Sequence, residues 1–312
     1  MNEKLLNKYI RPVLSALGYY KTKAAIKMHF YLKHLRREDA AKRVQIDVAI
    51  ALLPDEMLTR DNELVVSLTS YGHRIADTLP YTLYSLLTQE VLPGRVAVYL
   101  SKDEVCSDSL PDILKKLEKC GVEFYYVKDT RSYKKLIPAL PMFPDNPILT
   151  VDDDMYYDKS FIKTFLDAYE GSNKRSVLGT VGRMVTRDTS GRLLLYSQWE
   201  ATNDENVHTK DVSFYGCGGC LYPPHLFDEE ILNEDVFMRL APYADDLWFW
   251  VMEQRSDVKT YLIGDIKRKL YVPVDRTTLF ELDRPDCLTS LNDGTGRNDI
   301  QLKALLEYYK IQ

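Results

Sequence analysis

Residues 148–157 read Ile-Leu-Thr-Val-Asp-Asp-Asp-Met-Tyr-Tyr. The apolar, β-branched start of this run predicts a buried strand. Three consecutive carboxylates at its end repel one another and need compensation. A divalent cation is what the pattern suggests, because hard oxygen ligands suit Mg²⁺ or Mn²⁺. A metal held by one or two carboxylates also keeps positions for water and substrate phosphates. The alternative is an acidic turn capping a helix that starts near Lys159.

The flanks decide where that strand belongs. Glu63–Thr69 predicts a buried strand ending at the polar turn Ser70-Tyr71-Gly72-His73-Arg74, with a helix from about Asp77 to Gln89 behind it. Pro93-Gly94 ends that stretch, Arg95–Leu100 is a second strand, a helix covers about 110–119, and Val122–Val127 is a third strand. Strands joined by crossover helices predict an α/β fold with a mainly parallel sheet covered by helices on both faces. Ligands of such sheets sit beyond the carboxyl ends of the strands. Ser70–Arg74, Ser101–Asp103, Asp129–Lys135 and Asp152–Asp154 all fall at those ends. Neither a G-x-G-x-x-G after the first strand nor a P-loop is present, so dinucleotide and P-loop folds are unsupported. Arg74, Lys134 and Lys135 supply cations that balance phosphate. Metal carboxylates with such cations are what a departing nucleoside diphosphate requires.

With 312 residues, 45% of them hydrophobic, the chain can bury a large core. We divide it into a basic helical region, 1–60, and an α/β body, 61–312, with a break at about 158. No apolar stretch approaches the roughly 20 residues that span a bilayer, and no signal segment opens the chain. The five cysteines are scattered and suit reduced thiols in a cytoplasm. Cys217 and Cys220 form a C-x-x-C without a second ligand pair at zinc spacing, which reads as a glycine-rich turn with incidental cysteines. The net charge of −5 is uneven: residues 1–43 carry eleven Lys/Arg against Glu3, Glu38 and Asp39, or +8, leaving −13 elsewhere. Leu6, Tyr9, Ile10, Val13, Leu14 and Leu17 recur at helical spacing around Pro12, and a second helix is expected from about Thr22 to Leu53, ended by Pro54. Such a region either lies on the anionic inner face of a membrane or packs on the body of the protein. Nucleic acid is excluded as a partner by the acidic body and the lack of a binding motif.

The chain resembles the bacterial GT-A-fold, family-2-like glycosyltransferases of capsular and lipopolysaccharide biosynthesis. The residues that carry the resemblance are Val65–Tyr71 with Arg74, Ser132–Pro138, Thr150–Asp154, Gly216–Pro224 and Ala241–Phe249. It runs from about 62 to 265. The resemblance implies a nucleotide-sugar donor, UDP-linked by preference, and a glycan or lipid-linked acceptor. Thr69, Ser70, Tyr71, Arg74 and Asp103 would meet the nucleotide, and Lys134 and Lys135 the phosphates. Asp152 and Asp154 match a D-x-D pair that holds ribose and Mn²⁺ or Mg²⁺, with Asp153 able to take a share. Asp245-Asp246 matches the acidic pair that supplies the base of inverting members. A carboxylate beside an acceptor hydroxyl can accept its proton as the oxygen attacks the anomeric carbon. Asp246 is the preferred base, with Asp245 as helix N-cap.

Other features have two readings each. Gly216, Gly218 and Gly219 let a backbone approach a ligand, with Tyr215 and Tyr222 stacking on a sugar, or form a tight turn between strands. Trp199, Trp248 and Trp250 are core or sugar platform, whereas His208 and His225 read as ordinary loop residues. No histidine follows His225 to complete a metal site, so the loop Asn292–Asp299 is a candidate for oxygen ligands, a lid or plain surface. The absence of Q-x-x-R-W and of spanning helices argues against a processive membrane synthase. The rival classes are a nucleotidyltransferase or phosphohydrolase acting on sugar phosphates, for which Ser70–Arg74 is a poor glycine-rich basic loop, and a non-catalytic sugar-binding protein.

Overall fold

Alternate residues of the first strands are apolar on both sides, and the chain folds accordingly. The computed structural model describes residues 19–59, 62–202, 207–209, 211–263, 269–280 and 296–311. In chain order the elements are α1 (Tyr19–Leu52), β1 (Val65–Thr69), α2 (Arg74–Asp77), α3 (Leu79–Leu87), β2 (Arg95–Ser101), α4 (Asp112–Lys119), β3 (Val122–Val127), α5 (Ala139–Met142), β4 (Ile148–Thr150), β5 (Met155–Tyr157) and α6 (Phe161–Gly171). They continue with β6 (Ser176–Gly179), β7 (Gly182–Met184), β8 (Glu200–Thr202), β9 (Val207–Thr209), β10 (Val212–Phe214), β11 (Cys220–Tyr222), α7 (Glu234–Leu240), α8 (Asp245–Arg255), β12 (Lys259–Leu262), β13 (Tyr271–Pro273) and α9 (Arg297–Tyr309).

One eight-stranded sheet runs β3-β2-β1-β4-β11-β6-β12-β9. The first four strands are mutually parallel, β11 is antiparallel to both of its neighbours, and β12 is parallel to β6. The expected α/β class, a mainly parallel sheet covered on both faces, is what the structure shows. Side chains alternate between two cores. Val66, Leu68, Val96, Val98 and Leu100 pack with Leu83, Leu86, Leu114, Phe161 and Phe165 on one face. Val65, Ala97 and Tyr99 pack with Tyr133, Phe237, Trp248, Phe249 and Leu305 on the other. Trp199, Trp248 and Trp250 are all buried in this second core, so none forms an exposed sugar platform.

The helix expected from about Asp77 to Gln89 is α3, which starts at Leu79 with Pro80 in its first turn, after the separate short α2 has ended at Asp77. Proline lacks an N–H and is tolerated only where a helix has none to pair. The expected helix around Leu6–Leu17 lies outside the described residues, as do residues 292–295 of the 292–299 loop. The second expected helix is α1, and no described helix is long and apolar enough to cross a membrane.

α1 is tied to the far end of the chain by charge. Buried Asp39 accepts hydrogen bonds from the Arg276 backbone N–H at 3.0 Å and from its Nε at 2.6 Å, and the Lys42 ammonium lies 3.4 Å above the Tyr156 ring. Removing the carboxylate leaves the Arg276 donors without their partner. Asp39→Ala should therefore lower unfolding stability by about 1–3 kcal/mol, read as a reduced denaturation midpoint at unchanged slope.

Candidate active site

The site is assembled at the carboxyl end of β4. Asp152–Asp154 follow that strand directly, and β11 delivers a second segment to the same place. Because β11 runs antiparallel with Cys220 opposite Thr150, its first residue meets the last residue of β4. The turn Gly216–Gly219 before it therefore abuts the triplet. The third segment is the turn Arg131–Lys135 after β3. The fourth is the start of α8, with Asp245 and Asp246 in its first turn.

The turn after β3 grips the segment before α8 at several points. Tyr133 donates its hydroxyl hydrogen bond to the Ala241 carbonyl at 2.6 Å and stacks on Phe237. Arg131 donates to the Pro242 carbonyl at 2.9 Å and covers the Tyr243 ring, and Ser132 donates to Asp245 at 2.7 Å. Lys135 ends this turn, buried, with its ammonium 3.0 Å from Asp245, 3.4 Å from Asp152 and 3.9 Å from Asp246. Burial opposes that charge, yet Asp245, Asp152 and Asp246 hold Lys135 well above the ordinary lysine value. Gly216 closes the group: a Cβ there would stand 2.3 Å from the Lys135 nitrogen and 3.1 Å from an Asp152 oxygen. Its backbone also hydrogen-bonds Asp246. Tyr157, which sequence reasoning missed, accepts the Asp152 N–H at 3.0 Å and lies within hydrogen-bond distance of the Cys217 carbonyl.

The other half of the triplet is neutralised from α2. Arg74 pairs with Asp153 at 3.0 Å and with Asp154, while Ser70 donates to Asp153. Arg74 and Lys135 thus both supply compensating charge to the triplet. Asp153 is buried, and burial first, then Asp154, push its carboxyl up to about 7 against the pull of Arg74. It faces inward, whereas Asp152 and Asp154 keep a third and a quarter of their side chains open to solvent. Beside Arg74 and Asp154 opens a cavity of about 450 Å³ that also has Arg43, Tyr81 and Asp275 in its wall.

Several expected residues stand elsewhere. Lys134 is buried and paired with Asp129, so it does not face the cleft. Asp245 is not an N-cap, because α8 starts at Asp245 itself after Ala244; its carboxylate serves Lys135 and Ser132. Gly218 and Gly219 do not open space for a ligand, since Cβ atoms there would meet Thr180 at 2.1 Å and Phe161 at 2.8 Å. Tyr222 is buried, and His225 pairs with Asp145 at 2.9 Å. Thr69 donates to the Tyr99 carbonyl at 2.7 Å, exposed Tyr71 lies beside Arg74, and Asp103 is exposed just past β2. Among the described residues no three His, Cys, Asp or Glu side chains form a ready metal cage.

No protein-family model matches the chain, and no curated protein matches it. Similarities are to solved structures. S. aureus TarS is 18% identical with a TM-score of 0.43, the match covering 65% of this chain and 35% of that one. TarS 1–349 in complex with UDP-GlcNAc is 16% identical at 0.42, covering 65% and 56%. The apo form of UDP-glucose pyrophosphorylase is 10% identical at 0.38, covering 79% and 97%. The chain thus spans about a third of the first of these.

Asp246 is the carboxylate of the Lys135 group that solvent reaches most freely, with about a third of its side chain open. Desolvation by the surrounding cluster, then Asp245, push it from an ordinary 3.8 up to about 7 in spite of Lys135. Between those values the folded protein holds a proton that the unfolded chain has released. The raised carboxyl therefore lowers stability as pH climbs from about 4 to 7, and the loss is complete above 7. Asp246→Asn should match the native protein in thermal stability near pH 4 and exceed it at pH 8, seen by calorimetry at both values.

Proposed function

We propose that the chain is a glycosyltransferase that moves a sugar from a nucleotide-sugar donor to a hydroxyl of a glycan or lipid-linked acceptor, with inversion. The observation that carries the reading is the bridge through Lys135. A carboxylate of the proposed donor side, Asp152, and an accessible carboxylate with a near-neutral pKa, Asp246, share one ammonium at 3.4 and 3.9 Å. A proton acceptor is thereby held beside the place where a donor's diphosphate would lie, as transfer to a hydroxyl requires.

The charge count supports a metal-borne diphosphate. Asp152, Asp153, Asp154, Asp245 and Asp246 gather around Arg74 and Lys135. A cleft with this excess of carboxylate repels a bare diphosphate. Asp152 and Asp154, the two open members of the triplet, would hold Mn²⁺ or Mg²⁺, the remaining ligands coming from phosphate and water as such ions prefer. The ion would supply charge neutralisation for the departing diphosphate. In the transfer itself the acceptor oxygen bonds to the anomeric carbon as the bond to the diphosphate oxygen breaks. Asp246 takes the hydroxyl proton and the nucleoside diphosphate leaves with the bonding electrons. Asp245, more deeply buried and bound to Ser132 and Lys135, positions this group. Thr69, Ser70, Tyr71, Arg74 and Asp103 line the end of the sheet proposed for the nucleotide.

A nucleotidyltransferase is the second reading. A thermal-shift series with UDP-, GDP-, CMP- and dTDP-sugars, with and without Mn²⁺, separates the two from a sugar-binding protein when paired with an assay for pyrophosphate release. Titration calorimetry with UDP and Mn²⁺ should show Asp154→Ala losing metal-dependent binding while its circular dichroism is unchanged; unchanged affinity would remove the metal assignment. Asp246→Asn should retain donor affinity and lower turnover by roughly two to four orders of magnitude. In the native enzyme, activity should rise with pH through about 7 as Asp246 deprotonates. Near-native turnover by Asp246→Asn would reject its role as base.

A further inference from the structure

α1 carries apolar side chains on two opposite sides, and only one side is used by the fold. Leu35, Asp39, Ile46 and Ile50 are buried against the body. Ile26, Phe30, Val44, Val48 and Leu52 all lie within about 80° of arc on the opposite side, at 3.6 residues per turn, and every one is exposed. Among the described residues α1 alone holds seven of the sixteen exposed large hydrophobic side chains. Tyr31 also meets exposed Phe280, which adjoins exposed Leu279. Arg37 falls within the same outward stripe, with Lys33 and Lys27 at its two edges, and all three are exposed. A helix packing only on its own domain needs one apolar stripe, so the second marks a surface that meets something else.

We propose that this outward face of α1 docks on an anionic lipid surface. Charge selects that occupant. Self-pairing in parallel would set Lys33 and Arg37 against their own copies, and antiparallel pairing about the stripe's midpoint would leave the two Arg37 side chains about a turn apart. An anionic surface turns the same cations into attraction, while the flanking aliphatic and aromatic side chains enter the headgroup boundary. The body, with its net negative charge, is repelled by such a surface, so α1 sets the orientation. Arg43 of α1 borders the cavity beside Asp154, which puts the candidate site on the body side of this helix. The proposal is independent of the reaction assigned above.

Cosedimentation of the full chain with phosphatidylcholine vesicles, with and without phosphatidylglycerol, tests it. Binding is expected to the anionic vesicles at low ionic strength, with release as salt shortens the screening length, and none to the neutral ones. The Lys33→Gln/Arg37→Gln pair should weaken partition roughly thirtyfold, the share of two surface cations. Phe30→Ser/Val48→Ser should weaken it independently, with both variants keeping the native melting temperature. The proposal is overturned if the full chain ignores anionic vesicles at low salt, or if both pairs bind as the native protein does. It is also overturned if light scattering shows a two-chain mass that Val48→Glu reduces to one, which would assign the stripe to a second copy.

Discussion

Lys135 places an ammonium group inside the protein, where burial by itself would strip its charge. Asp152, Asp245 and Asp246 keep it charged, and in doing so it fixes where all three stand. The three carboxylates come from two segments about ninety residues apart, and without the lysine they would repel one another out of register. The rest of the site is arranged around this contact. Ser132 and Tyr133 bring the start of α8 to it, Gly216 leaves room for the nitrogen, and Tyr157 pins the backbone of Asp152. A buried ion pair of this kind is weak as a source of stability and strong as a source of specificity, because removing one partner strands the others in low dielectric.

The topology makes such a cluster possible. Four parallel strands send their carboxyl ends to one edge, which by itself would gather only loops that follow those strands. The insertion of β11 in the opposite sense, with Cys220 against Thr150, adds a loop that precedes a strand. This is how Gly216 reaches residues that lie more than sixty positions earlier. The glycine-rich stretch then divides its labour. Gly216 faces the charge cluster, while Gly218 and Gly219 fit the chain against Thr180 and Phe161.

The electrostatics of the cleft trade stability for chemistry. Asp153 and Asp246 are both pushed up to about 7, so near neutrality each is close to half-protonated in the folded protein, a cost to folding that a hydrophobic pair would not impose. A carboxyl that titrates near neutrality is what the proposed role of Asp246 as base would require. Arg74, from a helix of only four residues, and Lys135, from a buried turn, offset the carboxylates from two sides.

Much of this was legible in the sequence. Apolar runs at residues 63–69, 95–100 and 122–127, each followed by polar turns, predict the parallel strands because burial on both faces leaves no room for polar alternation. The triplet at 152–154 and the pair at 245–246 stand out because adjacent carboxylates need compensation wherever they are placed. What supplies that compensation was not legible, because a lysine's partner depends on tertiary approach rather than on spacing. Lys134 and Lys135 are indistinguishable as letters, yet one pairs with Asp129 and the other joins the cleft, since successive side chains of a tight turn point to different sides. The burial of the tryptophans, the two inward glycines and the pairing of Asp245 with Lys135 in place of a cap role were likewise settled by packing. Which segments are strands and helices, and that acidic groups end some of them, follows from the residue pattern alone. Which charges meet is a matter of the folded chain, because it depends on a strand running backwards through the sheet and on which face of each turn is buried.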